Sequence, residues 1–416
     1  MKASTKKLCL ILVTILSYSL QASLNEPNLP DPSFQNPFIS TVHGAVMAYA
    51  GRIRNLQSKY QNYQSLPSNH FEIGSTKVLL FNQNTKADLV IALPGIATKN
   101  FSPMMSRPLD YFSNRGYHTA VINNPWSHTY LIQKPDHWPG DIEAEAEVVL
   151  DLIPEIIKKI GVQNVKHIHL YGESYGGFLS SVVKGLDKNN LIDGKILMVG
   201  PPINFKSAAN NLDQLIVRAQ NLPENKPGNL ELLGIMFGFL WENLRGKTPK
   251  VNEDQMLQVV SIDVFLKHLK QTLKDLKYIG GSNVPESINL KDPRYYSYID
   301  SVSKNFRVKN PQSFSLFYWL NKLQSKNVDF QVISAQDDFL NIGEVWNLAN
   351  SQKSISILSW GGHLGFTGFK WWEEVLDKKF GSRLPGSEAP ACIGFEAPIW
   401  NDPKMSKTFR AHDFSF

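Results

Sequence analysis

Residues 165–186 read VKHIHLYGESYGGFLSSVVKGL, and this stretch decides the fold. Residues 165–171 form a strand-length apolar run, and residues 178–186 carry a helical pattern. Between them stands Gly172-Glu173-Ser174-Tyr175-Gly176-Gly177, a G-x-S-x-G sequence in the strand, turn and helix order that gives it meaning. Such a turn is so tight that its flanking residues must lack side chains, and it thrusts the serine hydroxyl out above a sheet at a helix N-terminus. Ser174 is therefore the candidate nucleophile.

Outward from this turn, strand-length runs recur at 77–81, 87–93, 118–123, 195–200, 328–334 and 354–358, each bounded by Gly, Pro, Asn or Asp. Helical patterns separate them. In residues 141–160, Ile142, Ala146, Val149, Leu150, Ile153, Ile157 and Ile160 make one stripe, with Asp141 as N-cap and Gly161 as terminator. Strands alternating with helices predict an α/β fold whose mostly parallel sheet is covered on both faces. The alternation breaks after Pro201-Pro202. Residues 204–326 then look helical and amphipathic, for example over 253–278, where Met256, Val260, Val264, Leu269, Leu273 and Leu276 approximate a stripe. An excursion of that length between two strands is read as a helical cap. The expected organisation is a core over 41–203 and 327–382, the cap over 204–326 and a proline-bearing C-terminal arm over 383–416.

A serine hydroxyl needs a base to take its proton, and that base needs an acid to hold its tautomer. The run at 328–334 leads into Gln336-Asp337-Asp338-Phe339, and the run at 354–358 leads into Gly361-Gly362-His363-Leu364-Gly365-Phe366. The order Ser174, Asp338, His363 puts all three at strand ends, where an open sheet of this kind carries its site. Asp337 is the alternative acid. Two N–H donors should face the oxygen on which negative charge develops: the amide of Tyr175, and that of Ile96 in the loop Leu93-Pro94-Gly95-Ile96. In the cap, residues 230–244 (LELLGIMFGFLWENL) offer Phe237 and Phe239 as walls of an acyl pocket, with cap core as the alternative. His167 and His169 could share one strand face, yet no third metal ligand stands near them, so neither a metal nor a cofactor is expected.

From about residue 70 to 382 the chain resembles the α/β-hydrolase superfamily. Within it, Asp337-Asp338 with Gly361-Gly362-His363-Leu364-Gly365-Phe366 looks like the YheT-like branch of esterases. That branch usually has His-Gly at the oxyanion loop and Arg-Gly after the fourth strand; here stand Pro94-Gly95 and Asn124-Pro125-Trp126. The resemblance implies a serine hydrolase cleaving acyl esters, with a small-molecule ester as its partner. A second resemblance is to the nucleophile motif of serine carboxypeptidases, in which the glutamate before the serine helps to hold a terminal carboxylate. It would give Glu173 that role and make the chain an exopeptidase. A binding protein on a hydrolase scaffold is the third alternative.

Composition narrows the remaining classes. The 416 residues are 42% hydrophobic and 19% charged, as in an ordinary globular chain. A formal charge of +6, with no run of five Lys or Arg, gives no footprint for nucleic acid. Lys2, Lys6 and Lys7 precede the apolar run 8–20 (LCLILVTILSYSL), which reads as a signal peptide over 1–22 and implies export to the periplasm or beyond. An uncleaved anchor is the alternative. Residues 23–40 carry four prolines and read as an extended leader. An apolar cap would also suit contact with lipid.

Overall fold

A computed structural model describes residues 36–54, 63–83, 85–98, 103–223, 251–280, 291–305, 310–345, 354–368 and 371–381, with Gly234, Gly238 and Asn347. The expected signal peptide, the C-terminal arm, Phe237 and Phe239 lie outside the described residues.

The first elements are helix α1 (Pro37–Arg54) and strands β1 (Tyr63–Pro67), β2 (Ser75–Phe81) and β3 (Ala87–Leu93). Helix α2 (Pro103–Asn114), β4 (His118–Ile122), the short α3 (His128–Leu131) and α4 (Ile142–Ile160) follow. Then come β5 (Val165–Glu173), α5 (Tyr175–Leu186), β6 (Ile196–Val199) and α6 (Phe205–Asn221). Helices α7 (Glu253–Gln258), α8 (Lys267–Gly280), α9 (Tyr295–Asn305) and α10 (Leu316–Ser325) precede β7 (Phe330–Ala335), β8 (Ile355–Leu358) and α11 (Trp371–Phe380).

Among the described residues the strands form one eight-stranded sheet in the order β1-β2-β4-β3-β5-β6-β7-β8. β2 runs antiparallel to its neighbours β1 and β4, and the pairs from β4 through β8 are parallel. Period-two alternation splits the core into two layers. Leu89, Ile91 and Leu93 of β3 and Ile196 and Met198 of β6 face one layer, with α4, α5 and α6. Val90, Ala92, Tyr171, Leu197 and Val199 face the other, with Phe112 of α2 and Trp372 and Leu376 of α11.

Each predicted strand is present within a few residues of its expected bounds, and α4 spans its predicted range. The Asp141 carboxylate accepts from the Ala144 N–H, as an N-cap should. Elsewhere the structure departs from expectation for visible reasons. β1, whose sequence YQSLP has no apolar run, is an edge strand in which Leu66 is buried and Ser65 and Pro67 are exposed. α1 begins at Pro37, inside the expected leader, because Asn36 caps it by accepting from the Phe38 and Ile39 N–H groups at 2.9 and 3.0 Å. The predicted 253–278 helix is interrupted by a π-helical turn, Val259–Leu266. The wider turn rotates the stripe, so Val264 is 41% exposed while Phe265 and Leu266 are buried. Finally α10, expected within the cap, packs on core helix α5: Trp319 lies so close to Gly185 that a Cβ there would strike its ring. Among the described residues no helix is long and apolar enough to cross a membrane.

Candidate active site

β5 delivers Ser174 into the N-cap position of α5 with φ 53° and ψ −123°. A non-glycine residue holds such a conformation only where its surroundings enforce it. Here the Ser174 N–H is anchored on the Val199 carbonyl at 2.7 Å, and its own carbonyl accepts from Gly177 at 2.9 Å. The flanking glycines are obligatory on steric grounds. A Cβ on Gly172 would run into the Gly176 carbonyl, and one on Gly176 would run into the Leu93 carbonyl.

The three candidate side chains converge from distant points in the chain. Ser174 Oγ lies 2.8 Å from His363 Nε2, and His363 Nδ1 lies 3.1 and 3.2 Å from the two oxygens of Asp338. All three are buried, at 5%, 5% and 0% exposure, so the chain of hydrogen bonds is screened from competing water. Asp338 also accepts from the Leu340 N–H at 3.0 Å. The neighbouring Asp337 turns the other way and accepts from Gly362 N–H at 2.8 Å. Burial foremost, aided by the charge of Asp338, pushes the Asp337 carboxyl up to about 7. Asp338 is thus the carboxylate that meets the imidazole.

Sequence reasoning missed two supports. Asn124, fully buried, donates from Nδ2 to the carbonyls of Gly95, Ile96 and Thr98 at 2.8, 2.6 and 3.1 Å. It grips the loop that carries Ile96 by its carbonyls and so fixes the orientation of the peptide N–H groups. Its position after β4, where the YheT-like branch has arginine, was the available signal. The second support is α1: Thr41 Oγ1 accepts from the His363 N–H at 2.9 Å, and Gly362, at φ +54°, lies where a Cβ would collide with the Pro37 carbonyl. Both Tyr175 and Ile96 border the space beside Ser174. As the first residue of α5, Tyr175 presents an N–H with no acceptor inside its own helix, at the positive end of the helix dipole.

That space is a small apolar pocket walled by Phe205, Ala208, Ala209 and Leu212 of α6 and by Tyr295 and Ile299 of α9. Glu173 is not in its wall. Sharing the Tyr171 side of β5, Glu173 is 3% exposed and accepts from the Tyr171 O–H at 2.6 Å. Alternation along β5 directs residues 171 and 173 to the same face, which sets the Glu173 carboxylate beside the Tyr171 phenol. His167 and His169 lie toward the start of β5, each beside a carboxylate: Asp193 at 2.8 Å and Asp88 at 3.3 Å. Among the described residues no group of three or more His, Cys, Asp or Glu could hold a metal ion.

The strand order, the antiparallel β2 and a serine on a positive-φ turn after β5 define the α/β-hydrolase fold. No protein-family model and no curated protein matches the chain. Solved structures similar to it include a 2,6-dihydroxy-pseudo-oxynicotine hydrolase, at 11% identity over 91% of this chain and 97% of that one, with a TM-score of 0.45. The α/β hydrolase GrgF from Penicillium sp. sh18 is 15% identical over 77% of this chain and 96% of its own, with a TM-score of 0.43. The Pyrococcus furiosus esterase Pf2001 is 12% identical over 79% and 90%, with a TM-score of 0.42.

Proposed function

We propose that the protein is a serine hydrolase that cleaves carboxylic esters with an apolar acyl group. The observation that carries this reading is the continuous hydrogen-bonded line from Ser174 Oγ through His363 to Asp338 at a turn built to expose the hydroxyl. In the proposed cycle His363 Nε2 takes the hydroxyl proton as Ser174 Oγ bonds to the acyl carbon. The carbonyl oxygen gains charge and is received by the N–H groups of Tyr175 and Ile96. His363 then hands the proton to the departing alkoxide, leaving an acyl-enzyme. A water molecule, deprotonated by the same imidazole, releases the acid and restores Ser174. Asp338 holds the imidazole in the required tautomer and offsets its transient charge.

The pocket favours an apolar acyl group, because Phe205, Leu212 and Ile299 offer it no polar partner. The turn of Glu173 toward Tyr171 removes the main support for an exopeptidase. The likeness of the Asp337-Asp338 and His363 segments to YheT-like esterases agrees with acyl-ester chemistry.

Hydrolysis of p-nitrophenyl esters from acetate to palmitate, beside a peptide with a free C-terminus, tests the reading. The esters should be cleaved and the peptide left intact. Ser174→Ala should lose on the order of 10³-fold or more of kcat, since only binding and the oxyanion donors remain. A folded wild type that cleaves none of the esters would contradict it.

A further inference from the structure

Behind the nucleophile turn lies a buried acid that the proposed cycle does not use. Glu145, in the first turn of α4, is 1% exposed. Its Oε1 accepts from the Gly140 N–H at 2.7 Å, and its Oε2 accepts from the Tyr175 O–H in a short hydrogen bond. Tyr175 is also the residue whose N–H is assigned to the oxyanion. Its ring is wedged between Trp126, centroids 6.3 Å apart and nearly perpendicular, and Phe205 at 4.9 Å. Gly140 itself stands at φ +93°, with Trp126 3.3 Å from where a Cβ would lie. The side chain next to the nucleophile is therefore held at its tip by an acid and on its flanks by aromatic rings.

We propose that Glu145 is a positioning residue: through the Tyr175 phenol it fixes the peptide that joins Ser174 to Tyr175 and so aims the Tyr175 N–H at the developing oxyanion. The inference rests on the serine-hydrolase reading above. A donor that rocks by about 1 Å can lose on the order of 10²-fold in rate, so a second support behind it has a kinetic consequence.

The protonation of this acid matters to the same geometry. Facing it are the carboxyl of Asp141, on which His137 acts in turn, and the phenols of Tyr175, of Tyr130 on α3 and of Tyr298 on α9. None of the groups nearest Glu145 is basic, and burial pushes its carboxyl up to about 8. At neutral pH the acid is uncharged: Oε1 still accepts from the Gly140 N–H, and the proton on Oε2 is shared with the Tyr175 phenol oxygen, the O–H of the acid donating to it. Once ionised, it places a negative charge behind the atom that must stabilise another.

Steady-state kinetics of the full chain on p-nitrophenyl acetate test this. Glu145→Ala and Tyr175→Phe should each lower kcat on the order of tenfold or more, short of the ~10²–10³-fold expected for outright loss of an oxyanion donor. KM should stay within about threefold, and the double variant should be no slower than the worse single one. In Glu145→Gln, the amide oxygen can accept from Gly140 and the amide N–H can donate to the phenol oxygen. This neutral isostere should restore most of the kcat lost in Glu145→Ala. The wild type should lose kcat/KM above about pH 8, and Glu145→Gln should abolish that fall. If Glu145→Ala fails to fold, the Tyr175→Phe loss and the Glu145→Gln pH profile decide the matter. Unchanged kcat in Tyr175→Phe, additive losses, or a basic limb that persists in Glu145→Gln would each overturn the inference while an active wild type leaves the hydrolase reading standing. An inactive wild type would overturn both.

Discussion

Asp337 and Asp338 leave β7 side by side and point to different partners. Asp338 meets the imidazole of His363, whereas Asp337 pins the Gly362 N–H and so shapes the turn on which His363 stands. Asp338→Asn should lower kcat on the order of 10³-fold or more, because the amide cannot support the same tautomer and charge. Asp337→Asn keeps an oxygen for Gly362 and should cost less than about tenfold. Comparing the two variants on one ester checks the assignment, and the reverse ranking would move the acid one residue upstream. The sequence places both carboxylates at the end of the same strand, but it does not say which one turns inward; that follows from the direction of the chain as it leaves the sheet. Asn124 was harder to see. Its Nδ2 donates to carbonyl oxygens of a loop 26 to 29 residues away and its Oδ1 accepts from the Trp126 N–H, and backbone partners leave little pattern in the sequence.

At the scale of elements, the nucleophile turn was the most legible part because its geometry forbids side chains at Gly172 and Gly176. The parallel strands were legible for a related reason: buried on both faces, they read as continuous apolar runs. Residues 253–278 were legible as helix but not in phase, since a π-helical turn shifts the stripe without altering composition. Nor did sequence reveal that α6 and α9 build the pocket wall. Ala208 and Ala209 are small, buried residues that border that space, and Ala209→Phe should fill it. The variant should lower kcat/KM for hexanoate esters on the order of tenfold or more, with acetate esters changed by less than about threefold. Equal losses on both esters, with the fold intact, would show that the acyl chain lies elsewhere.

For the whole molecule, buried acids set an unusual pH response. Burial raises Asp213 to about 6, Asp337 to about 7 and Glu145 to about 8, so the fold binds these protons more tightly than the unfolded chain does. Their contribution to stability is full below their ordinary carboxyl values and is lost as pH rises through the folded ones. His118, held below the ordinary imidazole range by burial, acts in the opposite direction at lower pH. Calorimetry should therefore show Tm falling from pH 6.5 to about 8.5, with a shallower fall in Glu145→Gln. A flat or rising Tm across that window would contradict the assignment of these acids. The central claim, that Ser174 is an activated nucleophile, has a more direct test. Intact-protein and peptide mass spectrometry after treatment with a fluorophosphonate should find one covalent adduct, on Ser174, and none in Ser174→Ala or in acid-unfolded protein. A folded wild type that remains unlabelled, or a label on another residue that persists in Ser174→Ala, would contradict it.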